Sequence, residues 1–291
     1  MKKINIFCFG FGQVAKNFIK KLIEEKYNIT LTATSRNESS KENFNGINYN
    51  CYLFNSERFD NSLIVELKEA DHILVSIPPE NQKDLVVKNV SKFLKNSKVK
   101  WITYLSATSV YGDHKSEWVD ERSKTNPTSI NGIARLKAEN SWVSLEENNK
   151  LPIQIFRLSG IYSNEKNVLV SLKLGNARLI KKKNHFFSRV HVDDIANILF
   201  RSLSKFRSGE TYNISDDKPS SSEEVTLFGA KILDIRVIKK IEVSEIKSEM
   251  LKSFYNDSKK VSNKKVKMHF NYKLKFPSYI EGLNHIRDNF I

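Results

Sequence analysis

Near the start of the chain, small residues stand at fixed spacing in Gly10-Phe11-Gly12-Gln13-Val14-Ala15, a G-x-G-x-x-A turn. It follows the apolar run Ile4–Phe9 and opens a stretch in which Val14, Phe18 and Leu22 recur four apart. Strand, glycine turn and helix start, in that order, suit a pyrophosphate. Gly10 permits the tight turn, Gly12 lets the backbone approach the anion, and Ala15 allows close helix–strand packing, while the free N–H groups of the helix start meet the charge. Gly10, Phe11, Gly12, Gln13 and Val14 are therefore candidate dinucleotide contacts. The next strand-like run, Ile29–Thr34, ends in Ser35-Arg36, where a carboxylate would bind a ribose 2′-hydroxyl. No acid occurs until Glu38, so Arg36, with Ser35, suits a 2′-phosphate. The residues favour NADP as cofactor, with NAD the alternative.

Such a turn works only if strands and helices hold it. Further strand candidates are Ile47–Leu53, His72–Ile77, Trp101–Ser106 and Ile153–Leu158, and helix-period connectors cover Gln13–Lys26, Glu57–Lys68, Gln82–Leu94 and Ser129–Glu147. This alternation predicts βαβ units, hence an α/β fold: a doubly wound parallel Rossmann sheet with a smaller C-terminal α+β substrate domain. The nucleotide domain is expected over 1–160, with 188–215 returning to it, and the substrate-side domain over 161–291. Asp193-Asp194 read as an N-terminal cap for a helix over 195–200, the strand-like Thr211–Ser215 follows, and helices are expected near Ser221–Leu233 and after Pro277.

The 291 residues, 40% of them hydrophobic, can bury a sizeable core. A formal charge of +15 raises the question of nucleic acid, but the lysines are spread along the chain and the densest cluster, Lys181-Lys182-Lys183, has no recognition motif around it. Solvated surface charge is the better reading, and a nucleic-acid partner is not expected. Ile4–Phe9 is too short for a signal-peptide core, and no apolar run is long enough to span a bilayer. With only Cys8 and Cys51, both in apolar runs, a reducing cytoplasmic setting is expected, with no membrane or metal partner.

Several later segments carry a resemblance. They are Ser76-Ile77-Pro78-Pro79, Leu105–Asp113, Pro127 to Glu139, Arg157–Tyr162, Arg189–Ala196, Tyr212–Asp217 and Phe276–Leu283. With the glycine turn, and in this order, they make the chain resemble the extended short-chain dehydrogenase/reductases, in the NAD-dependent epimerase/dehydratase family, and within it an atypical YeeZ-like branch. The resemblance implies cofactor contacts at Ile77, Pro78 and Ser106. It also implies a small-molecule substrate and a monomer or homodimer.

In that family a Tyr-x-x-x-Lys pair and a nearby Ser or Thr run proton transfer beside the nicotinamide. Aligned on the flanking motifs, the tyrosine position is Asn131, the lysine position Arg135 and the Ser/Thr position Ala107. Asn131 is no acid or base, but its amide can hydrogen-bond a substrate; Arg135 stays charged and can clasp ribose or phosphate; Thr108 can serve in place of Ala107. The family's diphosphate-gripping arginine falls on Phe187, and an acid that reads adenine falls on Tyr52, which disfavours a nucleotide-sugar substrate. Tyr111, His114, Tyr162 and His191 are weak substitutes for the lost tyrosine. Two functions follow: an NADP-dependent oxidoreductase or epimerase relative working through Thr108, Asn131 and Arg135, or a catalytically silent NAD(P)-binding sensor or scaffold.

Overall fold

The computed structural model describes residues 2–95 and 97–291. In chain order its strands are β1 (Lys3–Phe9), β2 (Asn28–Ser35), β3 (Ser40–Phe44), β4 (Ile47–Leu53), β5 (His72–Val75), β6 (Trp101–Ala107) and β7 (Trp118–Val119). They continue with β8 (Ile153–Leu158), β9 (Gly160–Tyr162), β10 (Leu179–Ile180), β11 (Arg189–His191), β12 (Thr211–Ile214), β13 (Lys240–Ile241) and β14 (Lys260–Val261). The helices are α1 (Gln13–Glu24), α2 (Leu63–Glu69), α3 (Leu85–Leu94), α4 (Ile130–Asn149) and α5 (Val168–Lys173). After these come α6 (Val192–Ser202), α7 (Ser222–Ile232), α8 (Glu249–Phe254), α9 (Lys264–Phe270) and α10 (Tyr279–Phe290).

Contacts group the chain into two interleaved units, 1–107 with 133–157 and 195–212, and 108–132 with 158–194 and 213–291. The segments 108–132, 158–160, 188–194 and 213–215, which the sequence alternation places with the nucleotide domain, thus group with the second unit.

The first unit is built on an eight-stranded sheet in the order β12-β8-β6-β5-β1-β2-β4-β3. β1 pairs in parallel with β2 and β5, β2 with β4, and β5 with β6. Central strands buried on both faces must be apolar throughout, and β5 and β8 are buried along their whole lengths. Helices α1 and α3 each turn one apolar face to the sheet; Val14, Phe18 and Leu22 are buried as their spacing predicts. The sheet face packed by α2 and α3 forms a core of Phe7, Phe9, Val75, Ile102, Tyr104 and Trp142 among others.

Two departures from the sequence expectation have local causes. Between β2 and β4, where no element was expected, stands the antiparallel strand β3, closed on β4 by Asn45 and Gly46, both at positive φ (49° and 81°). That pair is the two-residue hairpin signal. Next, only the end of Glu57–Lys68 is helical. Phe54 bridges to Phe59, and α2 starts after Ser62.

The second unit contains the short parallel pairs β9–β11 and β7–β14 and the pair β10–β13. Its apolar core joins Tyr162, Leu169, Val225, Tyr279, Leu283 and Ile286 from β9, α5, α7 and α10. Asp193 and Asp194 do not cap α6; they lie in its first turn. The Asp194 carboxylate is instead taken by the later chain, accepting from the Tyr272 hydroxyl (2.6 Å) and the Lys275 and Phe276 N–H groups (2.7 and 3.1 Å). Among the described residues no helix is long and apolar enough to cross a membrane.

Candidate functional site

In the first unit the glycine turn is fixed from two sides. Gly10 sits at φ +83°, and its N–H donates to Thr34 Oγ1 (3.0 Å) on β2. The Ser76 hydroxyl, just past β5, lies 3.0 Å from both the Phe9 and Gly10 carbonyls. A Cβ on Gly10 would come within 2.7 Å of Ile77 Cγ2. Gly10 is thus required by conformation and by packing together.

Gly12 is different. Its φ and ψ, −85° and −169°, are open to any residue, and a Cβ there would meet no atom within 4 Å. Protein packing does not call for glycine at this position, and the open space beside it leaves room for a ligand to approach the backbone. No side chain caps α1, and no acid stands in its first turn. The first N–H groups of α1 are therefore available to an anion. Phe11 is held by Phe44 and Tyr49 of the β3–β4 hairpin, each with ring centroids 5.2 Å away.

At the end of β2, Ser35 Oγ accepts from the Asn37 N–H (3.2 Å). Arg36 is exposed and makes no hydrogen bond or ion pair with any described residue. Glu38, the first acid beyond the strand, is paired with Arg58. Ile77 packs on the sheet core and Pro78 is exposed. Ser106 is 3% exposed at the end of β6, and its Oγ has no partner among the described residues. An orphaned hydroxyl in this position suits a ligand that completes it.

Arg135 projects from α4 to the end of β6. Its Nη1 donates to the Leu105 carbonyl (2.8 Å) and the Tyr104 hydroxyl (3.1 Å). Burial pushes the Tyr104 phenol well above its ordinary range, the nearby Arg135 charge opposing the shift, so this tyrosine stays protonated. One turn further along α4, Glu139 forms a buried forked ion pair with Arg157 on β8, at 2.7 Å from Nη2 and 3.1 Å from Nε. Asp84 caps α3 by accepting from the Val87 N–H (2.9 Å) and also accepts from Trp142 Nε1 (3.1 Å); burial raises its carboxyl.

Thr108 and Asn131 belong to the second unit. Thr108 opens a one-turn 3₁₀ helix and is half-buried; Asn131 is exposed in the first turn of α4, four residues before Arg135. The aromatic and histidine substitutes are each engaged by packing or hydrogen bonds. Tyr111 is buried and donates to Asn213 Oδ1 (2.7 Å), while Tyr162 packs on His191 with ring centroids 5.0 Å apart. His114 Nε2 lies 3.1 Å from the Lys124 carbonyl. His191 is fully buried; its Nδ1 accepts from the Asp193 N–H (3.2 Å), and burial lowers its pKa to about 4. It is a neutral ring held in the core. Phe187, at the position of the family's diphosphate arginine, packs against His185 and Tyr255.

The family model described as the NAD dependent epimerase/dehydratase family matches residues 10–215. The chain belongs to that family. No curated protein matches its sequence significantly. Among solved structures, this family member is similar to a functionally unknown conserved protein from Silicibacter pomeroyi DSS, with 28% identity, 99% of both chains covered and a TM-score of 0.85. It also resembles dTDP-glucose 4,6-dehydratase from Bacillus anthracis in complex with NAD (16% identity, 100% of this chain and 98% of that one, TM-score 0.77). A third is the human epimerase family protein SDR39U1 with NADPH (17% identity, 99% and 100% covered, TM-score 0.72). The last two show the fold alone.

Three contributors to the turn lie outside its motif. Thr34 and Ser76 anchor the turn by side-chain hydrogen bonds to backbone groups distant in sequence, which no local pattern announces. The hairpin that holds Phe11 was signalled by Asn45-Gly46 but disguised by the polar composition of β3.

Proposed function

We propose that this epimerase/dehydratase family member binds NADP and acts as an oxidoreductase or epimerase with an altered proton-transfer set. The observation that carries the cofactor reading is at the end of β2, where Arg36 stands without a partner while Glu38 is engaged by Arg58. A guanidinium free to fork onto a 2′-phosphate favours NADP; a free carboxylate there would have favoured NAD. In this reading Gly10, Phe11, Gly12, Gln13 and Val14 receive the pyrophosphate, and Ser35 and Arg36 the 2′-phosphate. Ile77 and Pro78 flank the dinucleotide, and Ser106 and Arg135 serve the nicotinamide ribose. The bound cofactor supplies hydride transfer. Thr108 and Asn131 orient the substrate by hydrogen bonds, since neither exchanges a proton at neutral pH. The substrate is a small molecule, and the two free, buried cysteines fit a cytoplasmic setting.

Titration with NADPH and NADH, repeated for Arg36→Ala, tests the cofactor reading. NADPH is expected to bind more tightly, and the substitution to remove most of the difference, on the order of tenfold or more for a lost charge-assisted contact. Equal affinities in the unaltered protein would refute the role of Arg36. A second reading, a silent NADP-binding sensor, is favoured by Arg135 Nη1 being committed to β6 rather than left to a ligand. Single-turnover oxidation of bound NADPH across ketones and sugars separates the two readings. Any substrate-dependent oxidation supports the enzyme, and complete inertness with tight binding supports the sensor.

A further inference from the structure

Within the second unit, a cavity of about 150 Å³ opens between α5, α7, α10 and β11. Its apolar wall is Val168, Val225 and Leu283, and its polar groups include Arg189 and Tyr279. Arg189 Nη1 donates to the Phe187 and Ser220 carbonyls (3.0 and 2.9 Å), which positions the guanidinium without neutralising it. No carboxylate among the described residues lies within ion-pair distance of it. The nearest acid in effect is Asp216, 1% exposed, whose carboxyl burial pushes up to about 8, so that it is largely uncharged at neutral pH. Tyr279 is 6% exposed, packs its ring on Phe228 at 5.6 Å, and has no hydrogen-bond partner for its hydroxyl among the described residues. A partly buried cation without an ion-pair partner and the unpaired hydroxyl of a largely buried tyrosine thus line one small space with an apolar wall.

We infer that this cavity binds a short-chain carboxylate of about six heavy atoms, its head on Arg189 and Tyr279 and its hydrocarbon part on Val168, Val225 and Leu283. The remaining guanidinium donors offer a fork to two oxygens, and the Tyr279 hydroxyl adds a third donor. A cavity of this volume takes an occupant the size of benzene. A nucleoside diphosphate sugar, several times larger, does not fit within it. The inference is independent of the cofactor reading, because both groups and the whole cavity lie in the second unit and the test measures binding alone.

The test is protein-observed NMR titration of the full chain with isobutyrate, its neutral counterpart isobutyramide, inorganic phosphate and UDP-glucose. Isobutyrate is expected to bind at least about tenfold more tightly than isobutyramide. Phosphate should be weaker than isobutyrate, because it gains nothing from the apolar wall. Tyr279→Phe keeps the ring packing and should weaken isobutyrate about three- to tenfold with an unchanged melting temperature, and Arg189→Gln should weaken it more. Absence of isobutyrate binding would overturn the inference. Equal affinity for acid and amide, or unaltered affinity in the folded Tyr279→Phe protein, would do the same. UDP-glucose binding more tightly than isobutyrate and losing that affinity in Tyr279→Phe would assign the cavity to a nucleotide instead.

Discussion

Single residues separate what the fold needs from what a ligand needs. Gly10→Ala places a Cβ 2.7 Å from Ile77 Cγ2 at φ +83°, and should cost about 1–3 kcal/mol of stability. Gly12→Ala meets nothing within 4 Å at a φ that alanine adopts freely, so chemical denaturation should show unchanged or slightly raised stability. NADPH affinity, however, should fall sharply in Gly12→Ala. A Gly12→Ala protein that binds NADPH as well as the parent would remove the pyrophosphate from this turn. Buried titrating groups give a second expectation. Burial holds His191 at about 4, below its ordinary value near 6.5, so the unfolded chain binds the extra proton between those values. The stability it contributes is full above about pH 6.5 and is lost as pH falls towards 4. Asp216 has the opposite sign: raised to about 8 by burial, it stabilises fully below about pH 4 and loses that contribution as pH rises to 8. Asp216→Asn, whose Oδ1 can still accept from the Lys218 N–H, should therefore be more stable than the parent at pH 8 and lose that advantage near pH 4. Denaturant midpoints across that range check it.

At the scale of elements, α4 is held to the sheet in part by one buried ion pair. Its low-contrast sequence gives it a weak apolar face, and the Glu139–Arg157 pair ties it to β8 from inside. Removing one partner strands a buried charge, so Glu139→Ala should cost about 3–5 kcal/mol in denaturant unfolding. Replacing both residues with apolar ones of similar volume should cost much less. A Glu139→Ala loss below about 1 kcal/mol would show the pair to be solvated. The β3–β4 hairpin was written in Asn45-Gly46, yet its first strand, Ser-Lys-Glu-Asn-Phe, has no apolar alternation because it is an exposed edge. Periodicity reports burial, and an edge strand that buries little leaves no periodic trace.

For the whole molecule, the two units interleave in sequence, and this bears on where the chain can be cut. A fragment ending at residue 160 lacks β12 and α6. It loses the edge strand beside β8 and the Ser202 hydroxyl to which Trp101 Nε1 donates at 3.1 Å. It is expected to be insoluble or to unfold without cooperativity, whereas a fragment of residues 1–215, which holds every segment of the first unit, should retain more native-like secondary structure. Circular dichroism and thermal melts of the two fragments test the assignment, and a cooperatively folded 1–160 would overturn it. The sequence by itself determined the parallel strands of the sheet, their ends within a residue or two, and the glycine turn, whereas Ala107, Asn131 and Arg135 stand out only through the family resemblance. The sheet and the turn follow from local spacing and apolar period, which are properties of neighbouring residues. Only the tertiary structure decided that Gly12 has open space beside it, that Arg36 is free while Glu38 is taken, and that Arg189 and Tyr279 share a cavity. Each of those depends on groups brought together from distant parts of the chain, and no local pattern encodes which distant side chain arrives or fails to arrive.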